Sequence, residues 1–183
     1  MMVIDAGFTS EMLEVLAMMK RKTLKSYECT SLDGFGTFPC NFRLNLGRFA
    51  VDVSCDYHVL EGQPAGFDEM TWFSCRKADL KSDFEPGIVA EPRQYLVDEV
   101  ITGVEVVHDR VDHDEDVVVE ADMALVIRTK YHTFTFSRDI WFDDTIAIVI
   151  SGPGSEPQGI KPPEELWFDD ERHAVAARTT KVL

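Results

Sequence analysis

With 183 residues, 45% of them apolar, the chain is long enough to bury its own core and too hydrophobic to stay disordered. Its formal charge of −15 repels nucleic acid and anionic lipid, and favours cations or a basic protein surface. Apolar runs reach only five residues, as at Met123–Ile127 and Ile146–Ile150, against the ~20 that a membrane-spanning helix needs, which excludes such a helix.

The charge is uneven. Residues 1–50 sum to +1, residues 98–122 carry ten acids against one arginine, and residues 139–171 carry nine acids against one lysine. The start, MMVIDAGFTSEM, has no basic region ahead of an apolar stretch, which argues against a signal peptide and for a cytoplasmic chain. Cys29, Cys40, Cys55 and Cys75 are spaced by 11, 15 and 20 residues with no CxxC, a pattern of reduced core thiols.

Thr9-Ser10-Glu11 predicts a helix start, with a hydroxyl cap and an acid in the first turn. Met12, Leu13, Leu16 and Met19 then share one helical face, and Lys20-Arg21-Lys22 are expected to close the helix (9–22) against its dipole. A strand follows over 24–30. Residues 42–59, FRLNLGRFAVDVSCDYHV, alternate apolar and polar on both sides of Gly47-Arg48, the Gly-first pair of a type II′ turn. That hairpin pairs Leu46 with Phe49, Leu44 with Val51 and Phe42 with Val53, leaving Arg43 and Asp52 as an exposed ion pair.

Residues 61–69 read as a loop, Met70–Cys75 as a strand and 78–93 as irregular. Strands are then expected at Tyr95–Ile101, Val104–Val111, Val117–Arg128, Tyr131–Ser137 and Thr145–Ile150. Residues 151–163, with three glycines and four prolines, form a loop, and Pro162-Pro163-Glu164-Glu165 opens a second helix in the segment 164–183. The tail from His173 fits helix or strand equally. About eight or nine strands joined by short turns, with a helix near each end, describe one α+β domain over residues 1–183, mainly an antiparallel β-sheet or barrel-like body over 24–151.

The stretch richest in chemistry is HDRVDHDED, 108–116, with two histidines and five carboxylates. A four-residue loop at His113–Asp116 sets Val106 opposite Met123 and Val104 opposite Leu125. It turns His108 to the apolar side beside Ala121 and joins Asp109 to Glu120 on the polar side. A five-residue loop sets His108 opposite Glu120 but forces Glu105 onto Met123. The next turn, at Thr129-Lys130, pairs Ile127 with His132, Leu125 with Phe134 and Met123 with Phe136. His132 then lies ~20 Å along the sheet from the partner of His108, too far for one metal. Asp112, Asp114 and Asp116 imitate the first ligands of an EF-hand, but Val117 stands where its glycine belongs and Met123 where its bidentate glutamate belongs. A charged, solvated hairpin end therefore explains the motif better than a metal site, with Asp112 and Asp114 as the weak cation candidates.

Cys55 and His58 fall on opposite faces of a strand and cannot form a dyad. WFDD occurs at 141–144 and 167–170, but the flanks do not repeat. SGPGSEPQG lacks the lysine of a phosphate loop, and no hydrolase elbow, zincin or dinucleotide fingerprint is present, so no cofactor is implied.

Three functions remain. The first is a binding or accessory protein, of the inhibitor, immunity or charge-mimic kind, that meets a basic protein partner through Asp109, Asp112, Asp114, Glu115, Asp116, Trp141, Asp143, Asp144 and Trp167. The second is a small-molecule-binding barrel with a pocket from Tyr57, His132, Phe134 and Phe136. The third is a metal-assisted enzyme built on Asp109, Asp112, Asp114 and Glu120.

Overall fold

The computed structural model describes residues 2–30, 41–60, 69–84, 92–113, 117–138, 145–167 and 174–183. In chain order these form β1 (Met2–Ala6), α1 (Ser10–Ala17), β2 (Thr23–Thr30), β3 (Asn41–Asn45), β4 (Ala50–Val59), β5 (Glu69–Ala78), β6 (Pro92–His113), β7 (Val117–Thr129), β8 (Thr133–Arg138), β9 (Ile146–Ser151), α2 (Pro163–Trp167) and β10 (Ala174–Val182). The chain is thus an α+β protein built on an open, mostly antiparallel sheet, with neighbours in the order β5-β4-β3-β2-β6-β7-β8-β9. None of the described helices is long and apolar enough to cross a membrane.

β6, with 22 residues, joins the two ends of the sheet. Residues 92–100 pair with β2, and residues 105–113 lie between β7 and β10. β7 in turn carries β1, in parallel, along 117–121 and β8 along 124–128. Two strands expected at 95–101 and 104–111 are therefore one, interrupted by an irregularity in which Thr102 has no opposite residue between the pairs Ile101–Thr129 and Gly103–Arg128. The tail is the strand β10, and β1 is a strand that the opening residues did not announce. Val3 is exposed while Ile4 and Ala6 are buried, so its apolar signal is weak.

Helix α1 begins as expected, with Thr9 Oγ1 accepting from Met12 N at 3.3 Å. It stops five residues early. Arg21 adopts φ 66°, and backbone bonds Arg21 N to Ile101 O (3.0 Å) and Ile101 N to Lys22 O (2.8 Å) draw the chain toward β2. The expected basic closure is absent from the last helical turn, and Lys20 Nζ instead donates to the backbone oxygen of Leu183 at 3.1 Å. Leu16 and Met19 still enter the core, with Met12 and Leu13 against it.

The hairpin of β3 and β4 has the expected register, including Phe42–Val53, Arg43–Asp52 and Leu44–Val51, and Gly47 takes φ 81°. The ion pair is buried rather than exposed. Arg43 holds Asp52 by two bonds of 2.6 and 2.9 Å and also donates to Ser82 O at 2.7 Å, so the segment after β5 folds over this face.

The main core lies between the two ends of the sheet and under α1. Phe42 stacks on Phe136 with ring centres 4.1 Å apart, Tyr27 meets Phe134 and Phe136 edge-on at 6.3 Å each, and Phe8 stacks on Phe73 at 5.7 Å. Phe136, with no solvent exposure, touches both halves, so Phe136→Ala is expected to remove about 3–5 kcal/mol of stability through lost burial and a cavity. Urea unfolding of the variant measures this.

Candidate functional site

The β6–β7 register decides what the acidic stretch can do. Val106 pairs with Leu125 and Val104 with Ile127, two residues from the expected register, so these side chains keep the expected face. Between Val107–Ala124 and His108–Asp122 the register shifts by one, past Met123 of β7, which has no opposite residue, and the buried positions of β6 pass from Val104 and Val106 to Val107, Asp109 and Val111 on its other face. A one-residue shift moves the whole of β7 beyond it by one place against β6, so Asp122 stands opposite His108 and Ala121 opposite Asp109. Asp109, expected on the polar side, is buried. His108, expected on the apolar side, meets acids.

Asp109 has no solvent exposure. Arg178 on β10 grips it by bonds of 2.7 and 2.8 Å, and Trp167 of α2 donates its indole N–H at 2.9 Å. Arg138, also fully buried, donates to Thr71 Oγ1 at 2.9 Å. Burial lowers its pKa, while Cys55, Asp109 and Asp122 favour its charge.

His108 bridges two carboxylates, with Nδ1 at 2.8 Å from Asp122 and Nε2 at 2.6 Å from Glu120. Carboxylates only accept, so the ring carries both protons. The hydrogen bond to Asp122, reinforced by Glu120 against the opposing effect of burial, lifts its pKa to about 9. Asp122 also accepts from Phe8 N at 2.6 Å, and Glu120 from Arg110 at 2.6 Å. The chain of charges pins the β1–α1 junction to the central hairpin. With both nitrogens engaged, His108 offers neither a base nor a metal ligand.

A second histidine is placed differently. Glu99 on β6 accepts from His132 Nδ1 at 2.6 Å and from Thr129 Oγ1. The pair stands at the edge of a cleft of about 360 Å³ where β7 has ended but β6 continues. Its walls are Tyr27 and Tyr95, stacked at 4.8 Å as a cross-strand pair, with Phe134, Val97, Leu96 and Ile150. Burial first, then the neighbouring Cys29 and Tyr95, raise the Tyr27 phenol to about 12 and keep it neutral.

A larger recess, of about 680 Å³, lies over β3, β4 and β5 and is rich in acceptors, including Asp52, Asp56, Asp83, Ser54 and Ser74. Ser54 and Ser74 both reach Asp56 Oδ2, at 3.0 and 2.6 Å, and lie 2.6 Å from each other. Cys75 at its edge is a protonated thiol, raised to about 12 by burial, and Cys29 is raised to about 11 chiefly for the same reason. Cys29, Cys55 and Cys75 are buried, and none of them is in a disulfide.

The residues singled out from sequence therefore separate. Asp109 and Trp167 are inside and bonded to each other, and Asp112 is half exposed and paired with Arg110 at 3.2 Å. Asp114, Glu115, Asp116, Trp141, Asp143, Asp144 and Cys40 lie outside the described residues. His132 and Phe134 share the cleft. Phe136 is fully buried in the core, and Tyr57 lies on β4, half exposed and outside the cleft lining. The turn after β7 spans Thr129 to His132, so Ile127 pairs with Phe134 and Leu125 with Phe136, two residues from the expected register but on the expected face. Asp109 and Glu120 diverge to opposite faces, and among the described residues no three His, Cys, Asp or Glu converge on a point a metal could occupy. His58 stacks on Trp72 at 3.4 Å while Cys55 enters the core, in keeping with their opposite faces.

Tyr27, Tyr95 and Glu99 escaped sequence reasoning. Tyr27 and Tyr95 meet across strands distant in the chain, and Glu99 sits in an acid-rich segment where nothing local marks it. Comparison with known proteins finds no matching family model, no matching characterised protein and no matching solved structure.

Because the His108 pKa is raised, its contribution to stability is complete below about pH 6.5 and is lost as pH rises through about 9. Relative to wild type, His108→Gln is expected to lose a component of order 2–3 kcal/mol at neutral pH and to flatten the pH dependence of stability between these limits. Melting curves of both proteins from pH 6 to pH 10 provide the comparison.

Proposed function

We propose that this protein binds a small apolar molecule in the cleft between β6 and β8–β9. One observation carries the reading, an aromatic-walled opening of about 360 Å³ whose described lining has one polar pair, Glu99 and His132, at its edge. Ligand sites are typically concavities of ~300–1,000 Å³, mostly apolar, with a few polar groups that orient the guest. Leu96 is 85% exposed and Ile150 45% exposed, an arrangement that leaves apolar surface at the mouth for a guest to cover. The uncharged reporter N-phenyl-1-naphthylamine is expected to brighten saturably with the protein, and Ile150→Arg to weaken binding about tenfold while leaving the fold intact, since the site is already partly solvated. A linear, non-saturating signal, or equal binding by the variant, would remove the proposal.

The acceptor-rich recess favours a second reading, a cytoplasmic accessory protein that receives a basic side chain from a protein partner. Its support is the pair of carboxylates Asp56 and Asp83 lining one recess, with Asp52 there already held by Arg43, in a chain of charge −15. A tetra-arginine peptide is expected to bind in low salt, to dissociate as salt is raised, and to bind Asp56→Asn more weakly. Calorimetry showing no heat of binding at low ionic strength would count against it.

A further inference from the structure

We infer that the guest of the cleft is a phenol, a flat aromatic body carrying one neutral hydroxyl donor, recognised by His132 Nε2. The inference rests on the small-molecule reading above and specifies the chemistry of that same site.

A carboxylate oxygen accepts, so the 2.6 Å bond between Glu99 and His132 places the proton on Nδ1. In the neutral imidazole that leaves Nε2, on the far side of the ring, as a lone-pair acceptor. Nε2 has no hydrogen-bond partner among the described residues, and the His132 side chain is 45% exposed. Glu99 is bonded to His132 and Thr129, and its own side chain is only 11% exposed, so it orients the imidazole instead of meeting the guest.

The remaining walls limit what can sit against that acceptor. Tyr27 and Tyr95 stack on each other, 12° apart, and Tyr27 and Phe134 meet edge to face, so aromatic rings wall the cleft on both sides of His132 and Glu99 in its lining. Flat aromatic guests match such walls by offset stacking. An anionic guest would meet the nearby Glu99 charge with no Lys or Arg among the described lining residues. A guest with no donor would leave Nε2 desolvated and unpaired, which costs about 1–3 kcal/mol. A single neutral donor on an aromatic body satisfies each of these conditions, and a phenol is the simplest molecule that has one.

The test compares 2-naphthol with 2-methylnaphthalene, which replaces the hydroxyl by a methyl group of similar size, by titration calorimetry. Wild type is expected to prefer 2-naphthol by about tenfold, the worth of one hydrogen bond to an acceptor that the bound guest covers. His132→Phe keeps the ring and removes Nε2, and is expected to abolish the preference while retaining 2-methylnaphthalene. Glu99→Gln, whose amide can donate to Nδ1 as well as accept from it and so no longer fixes the tautomer, is expected to reduce the preference, so the outcome does not depend on one variant folding. Equal affinity of wild type for both compounds, or a preference that survives His132→Phe, would overturn the phenol assignment and leave the cleft as a binding site. Failure of both compounds to bind would overturn the assignment and the site together.

Discussion

The buried carboxylate of Asp109 is the interaction on which the arrangement of the acidic half depends. An ionised carboxylate without solvent is tolerated only with partners of matching geometry. Here they come from two later elements, the guanidinium of Arg178 on β10 and the indole of Trp167 on α2. The requirement ties the end of the chain to the middle of β6. It also explains the pairing of β10 beside residues 105–113, because Arg178 lies directly across from Asp109 in the ladder. Fully buried Arg138, whose charge Asp109 and Asp122 favour, extends the same balance to β8.

The length mismatch between β6 and β7 has a second consequence. β7 turns back after Thr129, opposite Ile101, while β6 runs on to Pro92 in partnership with β2. One end of the sheet therefore closes over the other through side chains, with Tyr27 against Phe134 and Phe136 as the contact. The seam between them becomes an aromatic cleft. The Thr129–His132 turn delivers His132 to Glu99 at its edge, so the same turn that ends a hairpin also completes the site.

Acidic residues in this chain serve three different purposes. Asp52, Asp109 and Asp122 are buried and matched by Arg43, by Arg178 and by His108. Glu105 and Glu120 are paired at partly covered positions with Arg128 and Arg110. Asp56, half buried, holds two serine hydroxyls within the acceptor-rich recess. A net charge of −15 consequently overstates the free negative surface, since several of these charges are neutralised by short contacts within the fold.

Local periodicity was enough to determine the antiparallel α+β class, the cap of α1, the β3–β4 hairpin with its turn, and the core face of β7 and β8. Each of these depends on alternation or on turn chemistry that neighbouring residues carry by themselves. The two expected registers that were off by two residues still put the correct side chains inward, because the strand period is two. What the tertiary structure alone decided was the one-residue shift at Val107–His108, the burial of the Arg43–Asp52 pair under the segment after β5, and the meeting of Tyr27, Tyr95, Glu99 and His132. None of these has a local signature. A bulge shows only when a partner strand sets the register, burial depends on what folds over a face, and a cleft forms between strands whose contacts are remote in sequence.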